Sequence, residues 1–240
     1  KEDAIKSIVV YDNLIRANFN LFLGIKKLDS KKVTFIKADI LDSRKLKKEV
    51  EKADIVYHLA AKVTTPFADH NPHEFDQVNN WGTAELSYLI EKSKVSKLIY
   101  ASSASVYGAS AEAIELGTTP SPKTFYGISK WQGEGHVSRL LNGKTKVFIL
   151  RLGNVYGYSK SMRFDSVINK FMFEANFAHK LRIFGNGEQL RPFIHVNRLC
   201  QELKNIALNE SSTGVFNLIE NTFSINEIVD QLKIIYPELE

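Results

Sequence analysis

Ser7-Ile-Val-Val-Tyr11 before Asp12-Asn13, Val33-Thr-Phe-Ile-Lys37 before Asp39-Ile40, Ile55-Val-Tyr57 before His58, and Leu98-Ile-Tyr-Ala101 before Ser102-Ser103 share one pattern. Each is a short β-branched or aromatic run that ends on polar groups, as a buried strand does when its C-terminal edge opens on a ligand crevice. Val147-Phe-Ile-Leu150 is a further run of the same kind. Helical lengths lie between these runs, over about Ser43 to Lys52, His73 to Lys92 and Phe125 to Leu141. Strand, crossover helix and strand in alternation predict an α/β fold with a doubly wound parallel sheet. Ligands bind such sheets outside the carboxyl ends of the strands. Asp12, Asp39, His58, Ser102, Ser103 and Asn154 therefore occupy the positions of interest.

Working outward, the pattern changes after Tyr158. Met162 to Lys180 reads as a helix, Leu181-Arg-Ile-Phe184 as a brief strand before the Gly185-Asn-Gly187 turn, and Ile194 to Leu208 as a segment containing another helix. Val215-Phe-Asn-Leu218 resembles a short strand. Ser224-Ile-Asn-Glu227 has the spacing of a capping box opening a helix to about Tyr236. The expected division is 1–158 for the sheet domain and 159–240 for a mainly helical lid that would bind substrate.

The chain has 240 residues and a net charge of +5, with 44% apolar and 25% charged residues, which excludes a disordered or fibrous polypeptide. Its apolar stretches are too short to span a bilayer, and Lys1-Glu-Asp opens no signal-peptide pattern. With one cysteine, Cys200, there is neither an intrachain disulfide nor a cysteine-rich metal site, and a cytoplasmic setting is expected. The positive charge lacks a long basic run or zinc-finger spacing, so phosphorylated small molecules are expected as partners in preference to nucleic acid.

A dinucleotide-binding sheet normally carries a glycine-rich turn about 20 residues before the acid that holds the ribose. Asp12 suits that acid, yet no such glycine turn precedes it. On this reading a first strand, a glycine turn and a first helix are missing. The plainer reading is that Asp12-Asn13 begins an ordinary turn. Pro237-Glu-Leu-Glu240 ends abruptly after a helix, as a truncated lid would.

Tyr126 and Lys130 stand four apart in a predicted helix, so their side chains share one face. A phenol with a pKa of about 10 is a poor base near neutrality, but an adjacent ammonium favours the phenolate. Such a phenol can take a hydroxyl proton while hydride leaves the neighbouring carbon. Ser103 at a strand end can orient the same oxygen. The spacing alone also recurs on solvated helix faces.

The neighbours of this pair carry a wider resemblance. The matching segments are Val10-Tyr-Asp-Asn-Leu14, Asp39-Ile40, His58-Leu-Ala-Ala61, Asn79 with Gly82-Thr83, and Ala101-Ser-Ser-Ala-Ser-Val-Tyr-Gly108. Tyr126-Gly-Ile-Ser-Lys130, Arg151-Leu-Gly-Asn-Val-Tyr-Gly157 and Phe184-Gly-Asn-Gly-Glu-Gln-Leu-Arg-Pro-Phe-Ile-His195 continue the series. In this order the chain resembles the extended short-chain dehydrogenase/reductase family, in its NAD-dependent epimerase/dehydratase branch. The resemblance implies a Rossmann-like sheet, NAD as cofactor, a nucleotide-diphosphate sugar as substrate and a homodimer. By position it assigns Ser103, Tyr126 and Lys130 to catalysis. Asp12 with Asn13, Asp39 with Ile40, Leu59, Ala60, Ala61 and Asn79 fall to the cofactor, together with Tyr126 and Lys130. Asn154 and Arg191, with Ser103, fall to the substrate. Asp12 favours NAD over NADP, with Arg16 and Lys26 pulling the other way.

Two departures bear on the reaction. Sugar dehydratases of this branch usually carry acids after the catalytic hydroxyl residue, where this chain has Ala104 and Ser105. That argues against elimination of water and for epimerisation at C4 through a 4-keto sugar. A reductase, dehydrogenase, decarboxylase or non-catalytic nucleotide-binding relative is the alternative. In His195-Val-Asn-Arg198, relatives commonly have an aspartate near the arginine, a change expected to touch helix capping or local ion pairs. His58 reads as a structural histidine, and His70, His73, His136, His179 and His195 form no zinc motif, so no metal is expected. Lys26-Lys27, Lys31-Lys32 and Lys45-Lys47-Lys48 read as solvated faces. Phe125 and Trp131 read as core residues, Cys200 as a small apolar filler, and Phe171, Met172, Phe173 and Phe177 as packing for the lid.

Overall fold

Continuous apolar runs make strands buried on both faces, and two strands here show it fully. Leu98, Ile99 and Tyr100 are completely buried, as are Val147 and Ile149. The computed structural model describes residues 5–17, 19–23, 29–63, 71–108, 115–209 and 211–240. Lys26, Lys27 and His70 lie outside the described residues. In chain order the strands are β1 (Ile8–Asp12), β2 (Val33–Lys37), β3 (Ile55–His58), β4 (Lys97–Ser103), β5 (Lys146–Leu152), β6 (Asn154–Tyr156), β7 (Leu190–His195), β8 (Gly214–Leu218) and β9 (Asn221–Ser224). The helices are α1 (Ser43–Val50), α2 (Pro72–Phe75), α3 (Gly82–Glu91), α4 (Phe125–Ser138), α5 (Val167–Ala178), α6 (Val196–Leu208) and α7 (Ile225–Ile235). A π-helical turn, Asp76–Trp81, joins α2 to α3.

The chain divides into two units, the first running to Arg151 and resuming for Leu203–Asn217, the second comprising Leu152–Glu202 and Leu218–Glu240. Unlike the single cut expected at 158, the chain returns to the first unit. The cause is local hydrogen bonding: Lys97 Nζ donates to the carbonyls of Ile206 (2.5 Å) and Ala207 (2.8 Å), and Tyr57 Oη to that of Leu203 (3.0 Å). A cation on the last carbonyls of α6 complements the helix dipole. The following strand, β8, then extends the sheet.

Within the first unit, β3 and β4 pair in parallel from Ile55↔Lys97 to His58↔Tyr100, in a sheet ordered β3-β4-β5-β8. This is the parallel α/β sheet flanked by helices that the alternation predicts. Leu46, Val50, Leu86, Ile90, Val137 and Leu140 bring α1, α3 and α4 onto a core shared with β4 and β5. The strands β1 and β2 pair in parallel with each other from Ile8↔Val33 to Asp12↔Lys37. Ile8 and Val9 are each 46% exposed, so β1 is a strand but not the buried one its composition suggests. With β2 its one strand neighbour among the described residues, β1 lacks the two-sided cover that β4 enjoys.

Helix α4 sits unusually near β4. A Cβ on Gly133 would lie 2.4 Å from the Tyr100 hydroxyl and 2.9 Å from the Asn79 carbonyl oxygen. Thr124 caps α4 by accepting the Gly127 amide (3.0 Å).

The second unit has a sheet that the sequence reading did not anticipate. Strand β6 pairs in parallel with β7, and β7 antiparallel with β9. Phe171, Ala175, Phe193, Ile225, Ile228, Val229 and Leu232 form its core. No strand forms at Leu181–Phe184. Ser224 and Glu227 make the capping box reciprocally, at 3.1 and 2.7 Å. Phe173 and Phe177 are exposed and stack on each other, so of the four lid aromatics and Met172 it is Phe171 that enters the core.

Gly133→Ala is expected to lower stability by about 1–3 kcal/mol, since the close approach forces backbone or ring to move. Gly135→Ala on the same helix meets nothing within 4 Å and should be neutral or stabilising by up to about 1 kcal/mol. Urea unfolding of the two variants checks the contrast.

Candidate active site

The carboxyl end of β4 sets the site. Ser103 is buried and caps a short 3-10 turn, Ala104–Tyr107, accepting the Ser105 amide at 3.2 Å and donating to Ser105 Oγ at 3.1 Å. The first turn of α4 lies directly on this segment, because a Cβ on Gly127 would stand 2.6 Å from the Ser105 carbonyl oxygen. Tyr126, the neighbour of Gly127, is half-buried with its ring edge-on to Phe75 at 6.4 Å. One turn on, Lys130 is 2% exposed, and its Nζ lies 4.5 Å from the centre of the Tyr100 ring. The structure thus brings Ser103, Tyr126 and Lys130 to one seam between β4 and α4.

A chain of hydrogen bonds braces that seam. Asn79, from the π-helical turn, accepts the Lys62 amide (2.8 Å) and donates to the Lys62 carbonyl (3.0 Å) and to Ser129 Oγ (3.0 Å). Ser129 in turn donates to the Tyr126 carbonyl (2.9 Å). Asn79 therefore ties the segment after β3 to the backbone between Tyr126 and Lys130, a bracing role beside the one expected of it. Such π-turns recur at functional sites because the extra residue re-aims a side chain. Thr83 donates to the Asn79 carbonyl (2.6 Å), so its oxygen receives the proton of His58 Nε2 at 2.8 Å. His58 is the hydrogen-bonded structural histidine expected of it.

Burial dominates the electrostatics. It pulls Lys130 from 10.5 down to about 7, with the Glu134 carboxylate opposing the fall. It takes His58 down to about 3, and the Lys130 charge adds to the effect. The Tyr100 phenol is pushed up by the same desolvation.

At the ends of β1 and β2 the acids are held ready. Asp12 Oδ1 accepts the Leu14 amide (2.7 Å), Asp39 Oδ2 the Asn13 side-chain amide (2.7 Å) and Asp39 Oδ1 the Leu41 amide (2.9 Å). Asp12, Asn13 and Asp39 therefore cluster on adjacent strand ends. Ile40 is buried against the position of Gly82, so its side chain serves the core. Leu59 and Ala60 are exposed immediately after β3, and Ala61 is half-buried. In the second unit, Asn154 donates to the Pro192 carbonyl (3.1 Å), next to Arg191, and both residues are exposed.

Several sequence expectations change. Phe125, Trp131 and Cys200 are exposed, not core residues. His195 Nδ1 accepts the Asn197 amide (3.2 Å) at the start of α6, and Arg198 pairs with Glu202 (2.8 Å), so the departure there does act on capping and ion pairing. Sequence reasoning missed Glu134, whose signal was its spacing of four from Lys130. Among the described residues no group of three His, Cys, Asp or Glu side chains is gathered to hold a metal, and no helix is long and apolar enough to cross a membrane.

Comparison with known proteins adds a second line. The family model for the NAD dependent epimerase/dehydratase family matches residues 9–218. A putative UDP-glucose 4-epimerase of Methanocaldococcus jannaschii is 29% identical over 93% of this chain and 77% of its own length. The human dTDP-D-glucose 4,6-dehydratase is 31% identical over 78% of this chain, which spans only 54% of that relative. Among solved structures, UDP-glucuronic acid 4-epimerase from Bacillus cereus, in complex with UDP-glucuronic acid and NAD, superposes with a TM-score of 0.82. That comparison covers 98% of this chain and 76% of the other at 26% identity.

His58 carries a pH signature. Between its ordinary value of 6.5 and about 3, the unfolded chain binds a proton that the folded protein refuses. Stability is whole above 6.5 and should fall as pH drops towards 3, at most by about 1.4 kcal/mol per pH unit. His58→Gln keeps an N–H donor for Thr83 and removes this titration. Denaturant unfolding across the acid range should show a shallower decline for the variant.

Proposed function

This chain belongs to the NAD-dependent epimerase/dehydratase family, and from that premise we propose that it acts with NAD on a nucleotide-diphosphate sugar, epimerising it at C4. Because the chain spans about half of the mammalian relatives, the activity is ascribed to the protein of which this sequence forms the sheet and lid. The residues present fit the cofactor. Asp12 is exposed at a strand end with a carboxylate suited to a ribose diol, and Leu59 and Ala60 stand open beyond β3. Lys130 and Tyr126 lie on one helix face for the nicotinamide ribose and the reacting hydroxyl. Bound NAD supplies a reversible hydride acceptor.

The protein's own residues handle the proton and the sugar. Ser103 Oγ donates a hydrogen bond to the C4 oxygen and fixes its direction. Tyr126, as phenolate, takes the hydroxyl proton, and the Lys130 ammonium favours that anionic form. Arg191 and Asn154 suit the diphosphate, a planar guanidinium meeting phosphate oxygens through two parallel donors. The 4-keto sugar then turns and Tyr126 returns the proton. Exposed Trp81 and Tyr88, together with Trp131 on α4, offer apolar surface for the homodimer.

The observation that carries epimerisation over elimination is the pair Ala104 and Ser105 after Ser103. Removing a hydroxyl as water calls for a proton donor at that place, and neither residue titrates near neutrality. Dehydration is the second reading, favoured by the identity of 31% to the human and bovine 4,6-dehydratases and 32% to the mouse one. The test is the full-length protein with NAD and UDP- or dTDP-glucose. Epimerisation predicts an isomer of unchanged mass with no net NADH, whereas dehydration predicts loss of water, and reductase or dehydrogenase chemistry a stoichiometric change in NADH. Tyr126→Phe should lower kcat by about 10²–10⁴-fold while leaving NAD binding, followed by calorimetry, within a few-fold.

A further inference from the structure

One helical turn beyond Lys130 on α4 lies a buried charge that the chemistry above leaves unused. Glu134 is 4% exposed, and its carboxylate receives two bonds from Arg151 on β5, Nε to Oε1 at 3.0 Å and Nη2 to Oε2 at 2.7 Å. The Ser102 hydroxyl on β4 donates to Oε1 as well. The Arg151 guanidinium itself rests 4.7 Å above the Tyr107 ring, whose hydroxyl donates to Asn217 at 2.7 Å. A carboxylate held from two strands in this way has no freedom to swing.

That rigidity has a target. Spacing of four places Glu134 on the same face as Lys130. The groups facing Lys130 are His58 from β3, Tyr100 from β4, and Tyr126 and Glu134 from α4 itself. His58 stays neutral at ordinary pH, and Tyr100 is held protonated by burial. Glu134 is thus the fixed anion in the set. Burial by itself works to strip the Lys130 proton, and a nearby anion is the force that keeps it.

We propose that Glu134 is a positioning residue for Lys130: its carboxylate, locked by Arg151 and Ser102, keeps the neighbouring ammonium charged and its Nζ settled over the Tyr100 ring. The proposal rests on the assignment of Lys130 to the reaction. A purely structural role, in which the ion pair ties α4 to β5, predicts a different outcome in the following experiment.

The test titrates Lys130 directly in protein labelled with ¹³Cε-lysine, its resonance identified by its disappearance in Lys130→Arg. Glu134→Gln keeps the shape and removes the charge, and should move the Lys130 midpoint downward by about one pH unit or more. Because Glu134→Gln leaves Arg151 buried and unpaired, the double variant E134Q/R151M, which removes both charges, is measured alongside it. A lower midpoint in whichever variant folds supports the proposal. An unchanged midpoint in a folded variant overturns it, leaving the ion pair as a structural tie. If the midpoint falls while turnover of the sugar nucleotide is unaffected, the control of Lys130 by Glu134 stands and the assignment of Lys130 to catalysis fails.

Discussion

The near approach of α4 to β4 governs the rest of the first unit. Helices packed through side chains usually keep about 8–10 Å between axes, but here position 133 admits no side chain against Tyr100 and Asn79. The stem of Lys130 is thereby forced down onto the sheet, and its head is shut away from water beside the Tyr100 ring. On a helix standing farther off, the same lysine would extend into solvent and keep an ordinary affinity for its proton. A packing constraint at a glycine therefore decides the protonation chemistry of a residue three places earlier.

Burying a cation near neutrality demands that its surroundings be fully organised. The bonds running from His58 through Thr83 to Asn79 and Ser129 meet that demand, since each donor has an acceptor and their direction is settled. Thr83 spends its single proton on the Asn79 carbonyl, which obliges His58 to donate and fixes its tautomer. The imidazole thus stays neutral and avoids placing a second cation in a low-dielectric pocket. The same asparagine links the segment after β3 to the backbone beneath Tyr126, so the cofactor-side loop and the catalytic helix are set by one amide group.

How much of this was legible in the sequence follows from what each feature depends on. The runs at Leu98 and Val147 announce buried strands, and the Tyr126 and Lys130 spacing announces a shared helix face. Strands β6, β7 and β9 gave little warning, being short and containing Asn154, Arg191, Pro192 and Asn221. Their pairing comes from tertiary contact rather than propensity. Leu181–Phe184 has the composition of a strand but forms none. The return of Leu203–Asn217 rests on Lys97 reaching helix carbonyls more than a hundred residues away. Exposed Trp131 and Phe125 reflect a rule that works one way, since a folded surface is itself more than half apolar.

Selection between reactions turns on the turn after Ser103. The Ser103 hydroxyl donates to Ser105 Oγ at 3.1 Å, a neutral acceptor that a sugar oxygen can displace at little cost. An acid at position 105 would compete far more strongly for that proton, because hydrogen bonds to charged acceptors are about twice as strong. It would also bring a titrating group to the carbon next to the reacting one. With serine there, the donor is left available to the C4 oxygen, and this turn supplies no acid for expelling a hydroxyl. The same two residues that weaken the case for elimination therefore sharpen the alignment that reversible proton removal at C4 requires.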